Sequence, residues 1–233
     1  IYMSVFQKTL VFLSLFLFAT SAHAQSSASS VDMFWEANSY VPTLYQGKAL
    51  PTSDGDVRVF ALPGASFGNA SQASYIWKVN GTVLGSKSGV GRSSLEVTGS
   101  PFIDTSLVVV DVVGSNGQSG SGILRIPYTK PRVLLYEKSA LGGILFSSSI
   151  EGGESAPINK DIVLFVYFYF FSTEKITNNL SYVWKIDESP INTRGPELVT
   201  RSENIGTSTV SVRVYSVTHV LQQASKTVPI VLQ

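Results

Sequence analysis

The residues that could carry acid–base or nucleophilic chemistry are few and widely scattered in this chain. Its two histidines are His23 and His219, and it has no cysteine. Serine- or cysteine-type catalysis needs a histidine held between a carboxylate and a nucleophile, and zinc needs several histidine or cysteine ligands. Because His219 is the one histidine beyond the first 24 residues, the sequence predicts no catalytic residue, no metal site and no cofactor.

Carboxylates are the remaining candidates for chemistry. Asp54-Gly55-Asp56 could donate oxygens to calcium, which takes about six to eight of them, but the acidic run ends there and Asp-Gly is itself a turn signal. A glycosidase would need two carboxylates facing each other across a cleft, and the spacing of 16 acidic residues cannot show whether two of them meet. We therefore expect a protein that is not an enzyme, and a deep pocket holding two acids would favour the opposite.

The glycine-rich segment 85–91 raises the question of phosphate binding. A Walker loop needs Gly-Lys-Ser/Thr at the point where a helix begins. Here Lys87-Ser88 is followed by Gly89, and residues 93–98 alternate between apolar and polar side chains as a strand does. The segment is therefore interpreted as a turn between strands.

Two matching stretches, residues 74–81 and 181–188, indicate which elements organise the chain. Their tryptophans lie 184 − 77 = 107 residues apart, and similarity at a fixed spacing indicates a duplicated unit. Side chains two apart share one face of a strand, and a tryptophan can bury roughly 150–250 Å². We predict one aromatic pair per copy as the core anchors, namely Tyr75 and Trp77, and Tyr182 and Trp184.

Different turns are predicted after the two tryptophan strands. Asn80-Gly81 accepts the positive φ angles of a tight hairpin turn. Asp187-Glu188-Ser189-Pro190 takes this place in the second copy, and its weaker turn chemistry predicts a longer loop.

The Tyr-x-Trp-x-Val-Asn-Gly stretch, followed by the valine-rich residues 107–113 and the Gly-Ser-Asn-Gly turn at 114–117, resembles PKD and immunoglobulin-like modules of bacterial surface proteins. Residues 210–217 match the valine-rich strand in the second copy, and neither copy has the Gly-Asp-Gly that usually follows the tryptophan strand in PKD modules. The resemblance implies an all-β fold of two tandem immunoglobulin-like (PKD-like) β-sandwich domains. We place them at residues 31–130 and 131–233.

The N-terminal residues have the features of a secretory signal peptide. Lys8 precedes a mostly apolar run over residues 9–18, and Ala22-His23-Ala24 is a small-x-small cleavage site. The run is short for a membrane span of about 20 residues, so we expect cleavage after residue 24, with a retained anchor as the alternative. Residues 25–30 are predicted to be a disordered leader. These features predict a protein that is secreted or held in the cell envelope, with no stable membrane span.

The charge balance excludes some classes of partner. Without Lys8 the chain has 17 − 1 = 16 basic residues against 16 acidic ones, so it lacks the basic surface that nucleic-acid binding requires. A hydrophobic fraction of 44% with 14% charged residues excludes a disordered chain. The absence of cysteine removes disulfides, but modules of this length can bury enough apolar surface to fold without them.

Residues 162–171 are ten consecutive apolar or aromatic residues. The run is rich in β-branched and aromatic types and is too short to span a membrane as a helix, so it predicts a strand. Both of its faces are apolar. Either the junction or the other module covers the second face, or that face is a contact surface for a partner.

Two functions remain open at this point. The first is adhesion or envelope assembly through protein–protein contacts, in which a rigid pair of sandwiches displays loops and strand edges. The second is carbohydrate binding by the aromatic side chains of Trp35, Tyr40 and Tyr45, which lie within eleven positions of one another. Such rings would stack on a surface glycan only where they stand in solvent.

Overall fold

The computed structural model describes residues 29–139, 141–176 and 180–233. The predicted signal peptide and residues 25–28 of the predicted leader lie outside this range. The chain is all-β, which confirms the predicted fold class. The described residues also form one turn of α-helix, α1 (Thr173–Ile176), and two 3-10 turns at Ala65–Phe67 and Gly85–Lys87. No described helix is long and apolar enough to cross a membrane.

The first sandwich forms from two layers that share one strand. Its strands are β1 (Ser29–Ala37), β2 (Asp56–Pro63), β3 (Ser74–Val79), β4 (Thr82–Val83), β5 (Gly89–Val90), β6 (Ser94–Thr98), β7 (Thr105–Val113) and β8 (Ser119–Pro127). One layer has the order β1-β2-β6 and the other β8-β7-β3-β4. Ser29 and Ser30 pair with β8, and the rest of β1 pairs with β2. These two serines were predicted to be disordered, and that prediction is wrong because their backbone extends the sheet.

The second sandwich has two separate sheets. Its strands are β9 (Arg132–Ser139), β10 (Gly143–Ile144), β11 (Glu154–Ala156), β12 (Asp161–Tyr169), β13 (Leu180–Ile186), β14 (Ser189–Ile191), β15 (Glu197–Arg201), β16 (Gly206–Ser216) and β17 (Gln223–Leu232). The sheet orders are β10-β9-β12-β15 and β11-β17-β16-β13-β14. This division of strands between two facing sheets is that of an immunoglobulin-like sandwich.

Each sandwich has its own hydrophobic core around a tryptophan. Trp77 lies opposite Val110, and Trp184 lies opposite Val212. Both tryptophans are fully buried, and their indole N–H groups donate to the carbonyls of Arg92 at 2.7 Å and Gly195 at 3.0 Å. The indole therefore fills the core and leaves no buried donor unpaired.

The two tyrosines of the repeated motif differ in burial. Tyr75 is fully buried, and its hydroxyl donates to the carbonyl of Ala70 at 3.0 Å. Tyr182 is half-buried at the edge of the second core. Tyr182 packs against its core with part of the ring exposed, whereas Tyr75 is enclosed.

Both tryptophan strands end in a two-residue turn with positive φ angles. These angles are 50° and 84° at Asn80 and Gly81, and 45° and 65° at Asp187 and Glu188. The longer loop predicted after the second strand is therefore wrong. The Asp187 carboxylate accepts the backbone N–H of Thr209 at 2.7 Å, and this bond offsets the cost of the left-handed backbone conformation.

Candidate functional site

The segment between β1 and β2 crosses from the first sandwich to the second. The backbone N–H of Tyr40 donates to the carbonyl of Phe171 at 2.7 Å, and that of Phe170 donates to the carbonyl of Tyr40 at 2.7 Å. The N–H of Thr173 donates to the carbonyl of Asn38 at 3.1 Å, and the amide of Asn38 donates to Glu174 at 2.7 Å. Modules joined by a linker alone move relative to each other by default, whereas here main-chain hydrogen bonds hold them together.

Tyr40 is a first-module residue that packs into the second module. Its ring stacks on Phe168 with the centroids 4.4 Å apart and lies against the second hydrophobic core. Burial raises the pKa of Tyr40 above its ordinary value, and the nearby Tyr167 phenol adds to the effect. The junction therefore buries apolar surface as well as forming hydrogen bonds.

A buried glutamine reinforces the junction from the other side. The side-chain carbonyl of Gln222 accepts the backbone N–H of Ser172 at 2.8 Å, and its amide donates to the Thr52 hydroxyl at 3.3 Å. Gln222 and Thr52 are both fully buried. Buried polar groups of this kind persist only where they are paired.

The backbone of Phe170 is strained at the junction. Phe170 is buried and has a φ of 62°, a backbone conformation that costs a bulky L-residue roughly 1–2 kcal/mol. Its N–H is fixed by the carbonyl of Tyr40. The contacts between the modules therefore maintain a geometry that the local sequence does not favour.

An open groove of about 340 Å³ lies where the two modules meet. We define the junction groove by the residues that line it: Tyr45, Leu50, Thr129, Arg132, Leu134, Tyr169 and Phe170. The half-buried ring of Tyr45 meets Tyr169 at 5.8 Å with 70° between the planes, and meets Phe170 at 5.7 Å. Arg132 is exposed, and no carboxylate of the described residues pairs with it.

The groove continues onto the outer surface of the sheet that contains β9 and β12. We define the aromatic face by Leu134, Tyr136, Phe146, Phe165, Tyr167 and Tyr169. Tyr167 contacts Phe146 at 5.2 Å, Phe165 at 5.3 Å and Tyr136 at 5.9 Å between ring centroids. Phe146 is 40% exposed. Val199, which pairs with Val163 of β12 in the same sheet, is 57% exposed. The result is an apolar surface that remains partly open to solvent.

The phenol of Tyr169 links the aromatic face to the groove. Burial raises its pKa far above the ordinary value of 10, and the hydrogen bond with Tyr136 and the neighbouring phenols of Tyr167 and Tyr40 raise it further. Tyr169 therefore stays neutral at any physiological pH, and Arg132 is the sole charged residue in the groove lining.

The second face of residues 162–171 is covered only in part. The first module covers its end, where Tyr45 packs on Tyr169 and Phe170. Neighbouring aromatic side chains of the second module half-cover the middle. The corresponding surface of the first module has the cross-strand charges of Glu36, Arg58 and Glu96 beside one exposed stack of Phe34 on Phe60.

The predicted binding residues Trp35, Tyr40 and Tyr45 do not form one exposed platform. Trp35 packs against the first core, and the ammonium of Lys48 lies 3.3 Å from its ring centroid. Tyr40 is stacked on Phe168, and Tyr45 alone lines the groove. Sequence reasoning did not identify Arg132 or Tyr136 as site residues. The sequence feature that could have indicated them is the run at residues 162–171, because a strand with two apolar faces requires apolar neighbours on both sides.

A second cleft of about 240 Å³ contains the acids that an enzyme would need. Glu36, Asp56, Glu96 and Glu174 line it together with Arg58. Arg58 pairs with Glu96 at 3.4 Å between side chains that are 60% and 57% exposed. Asp56 accepts the Thr98 hydroxyl at 2.6 Å. Asp56, Glu96 and Glu174 therefore have hydrogen-bond or ion-pair partners. The cleft is open to solvent, which is not the desolvated setting that tunes a carboxyl for general acid catalysis.

Comparisons with known proteins concern the fold. No protein-family model matches the chain, and no curated protein matches it. A structure of three N-terminal domains of the highly immunogenic outer capsid protein of bacteriophage RB49 is similar over 87% of this chain and 59% of its own length, with 13% identity and a TM-score of 0.48. The fibronectin(III)-like modules of Clostridium thermocellum CbhA (84% and 94% covered, 14% identity) and the N-terminal four Ig domains of Dscam1 (86% and 46%, 14% identity) both have TM-scores of 0.29. At these values the similarities do not extend to function.

Proposed function

We propose that this chain is a non-enzymatic module protein, secreted or held in the cell envelope, that mediates adhesion or envelope assembly through protein–protein contacts. The observation that supports the proposal is the aromatic face of the second module. A sandwich sheet that faced only solvent would alternate apolar and polar residues, whereas β12 is apolar on both faces and its outer side chains remain partly exposed. Large apolar patches on a folded surface are typical of interfaces.

The fixed junction also supports this role. Main-chain hydrogen bonds and the half-buried ring of Tyr40 hold the two modules together. A surface that is held rigid loses less entropy when it binds a partner. The PKD-like and bacterial character of the modules is part of the same proposal and is based on the motif at Trp77.

The test is saturation binding of the labelled protein to envelopes prepared from the organism that makes it. Replacing the exposed Phe146 and Val199 by serine should weaken binding at least about tenfold, because two apolar side chains contribute more than the roughly 1.4 kcal/mol that a factor of ten represents. Ile76 and Val83 have matching exposures of 42% and 54% on the first module. The Ile76→Ser/Val83→Ser variant is therefore the control and should bind normally.

Treating the envelopes with protease should abolish the part of the binding that the Phe146→Ser/Val199→Ser variant loses. Equal binding by the two double variants would contradict the proposal, and so would a difference between them that survives the protease.

A further inference from the structure

We infer that the junction groove binds a sugar that carries a carboxylate, a hexuronic acid unit of a surface polysaccharide. This inference concerns a ligand class beyond the proposed protein contacts, in a groove that shares Leu134 and Tyr169 with the aromatic face. Its basis is the combination, in one groove, of an apolar floor, two tyrosines from different modules and a cation without a partner.

The groove has the size and composition of a small-ligand site. Its volume of about 340 Å³ lies at the lower end of the roughly 300–1,000 Å³ typical of such sites. The side chains of Leu50, Leu134 and Phe170 supply apolar surface, and the polar groups are few: Arg132, the Thr129 hydroxyl and the tyrosine hydroxyls. A single sugar ring has this same mixture of apolar C–H faces and polar edges.

The two tyrosines pack edge to face and form a corner against which a ligand ring can lie. Tyr45 comes from the first module and Tyr169 from the second, with 70° between their planes. Both are half-buried. One ring can present its flat face to the ligand while the other presents an edge, and each tyrosine combines an apolar body with a polar tip.

The charge of the groove selects an acid over a neutral sugar. Arg132 is the one charged residue in the lining, and it is exposed at the start of β9. No hydrogen bond or ion pair joins it to a side chain elsewhere in the described residues. A guanidinium matches the geometry of a carboxylate and can form two parallel hydrogen bonds with it.

The backbone of the groove favours a sugar over a peptide. The N–H groups of Tyr45, Thr129 and Phe170 already donate to the carbonyls of Pro42, Pro51 and Tyr40 at 2.9, 2.8 and 2.7 Å. Extended peptides and free peptide carboxylates are usually captured by unpaired backbone groups. The groove instead offers side-chain hydroxyls and a guanidinium, which suit ring hydroxyls and a uronate.

The test is an NMR titration of the full chain after signal removal, with three probes. Methyl β-glucuronide should shift the amide signals of Tyr45, Thr129, Arg132 and Phe170 in a saturable way. Methyl β-glucoside lacks only the carboxylate and should bind about tenfold more weakly, as expected for the loss of a charge-assisted contact. N-acetyl-diglycine carries a carboxylate without a sugar ring and should bind more weakly than the glucuronide by at least the same factor.

Variants distinguish the effect of the Arg132 charge on binding from effects on the stability of the fold. Arg132→Gln should reduce glucuronide affinity to that of the glucoside without affecting stability, because Arg132 is exposed and without a partner. Arg125→Gln alters an exposed arginine on β8 and should leave binding unchanged. The Phe146→Ser/Val199→Ser variant should also bind glucuronide normally, so that this inference and the proposed protein contacts can fail separately.

Three results would overturn the inference. They are equal affinity for glucuronide and glucoside, full retention of binding in Arg132→Gln, and the absence of saturable shifts at the groove amides up to about 50 mM probe, far above a Kd of about 1 mM. Binding of N-acetyl-diglycine as tight as that of glucuronide would assign the groove to peptide carboxylates instead.

Discussion

Replacing Tyr40 by alanine should destabilise the second sandwich, although Tyr40 belongs to the first. Its ring stacks on Phe168 at 4.4 Å and lies against the second core, 168 − 40 = 128 residues along the chain from its stacking partner. Tyr40→Ala removes this ring and leaves the backbone hydrogen bonds with Phe170 and Phe171 in place. The substitution therefore isolates the packing contribution of the junction.

The magnitude follows from the buried area. A fully buried tyrosine removes roughly 150–250 Å² from water, so the half-buried ring of Tyr40 accounts for about 100 Å². At about 25 cal/mol per Å² this is about 2.5 kcal/mol, and the aromatic stack adds about 0.5–1.5 kcal/mol. Residual burial in the unfolded chain lowers the total. We expect a loss of about 2–3 kcal/mol.

The assay is urea unfolding of protein labelled with 5-fluorotryptophan, followed by ¹⁹F NMR. The chain has three tryptophans, and their signals are assigned with single Trp→Phe variants. The signals of Trp77 and Trp184 then report the first and second cores. Tyr40→Ala should lower the free energy of unfolding measured at Trp184 by the amount above. Tyr40→Phe keeps the ring and should cost less than about 1 kcal/mol. A change of less than about 0.5 kcal/mol at Trp184 in Tyr40→Ala would refute the reasoning.

Three further outcomes can be checked. Trp184→Ala should cost about 3–5 kcal/mol, because it empties a core site and leaves the Gly195 carbonyl without its donor; a loss under about 1 kcal/mol in calorimetry would show that the indole does not anchor the core. Glu188→Gly should stabilise the protein by about 1 kcal/mol by relieving a φ of 65°, and a lower Tm would contradict this. The raised pKa of Tyr169 keeps the folded phenol protonated where the unfolded one ionises, so stability should fall as pH rises above 10. Tyr169→Phe should lose less stability between about pH 9 and 11 than the parent, and parallel curves would exclude Tyr169 as the source.

The elements that the sequence predicted best are those defined by local pattern. Alternation around Trp77 and Trp184 identified two core strands, because side chains two apart must share a face. The turn at Asp187-Glu188 was mispredicted because its stability depends on Thr209, a residue on another strand. The wrong prediction of disorder at Ser29 and Ser30 has the same cause, because these residues are ordered by pairing with Gly120 and Ser121 of β8.

The candidate site was less accessible to sequence reasoning. Tyr45 was predicted as a binding residue because its side chain is aromatic. Its contacts with Tyr169 and Phe170 could not be predicted, because these residues lie more than a hundred positions away in the sequence. Arg132 gave no signal, because an arginine at the start of a strand is ordinary. The apolar run at residues 162–171 indicated that something must lie against the outer face of β12, but not what.

By itself, the sequence determined the class of fold, the two copies of the tryptophan strand and the near-neutral charge that argues against nucleic-acid binding. These properties depend on composition and on neighbours within a few residues. Only the tertiary structure decided that Tyr40 packs into the other module, that Trp35 lies beneath Lys48, and that Tyr45 and Arg132 share a groove. Those contacts join residues from different strands and loops. The hydrophobic effect is non-directional, so burial against any apolar neighbour is favourable and the sequence does not specify which neighbour it is.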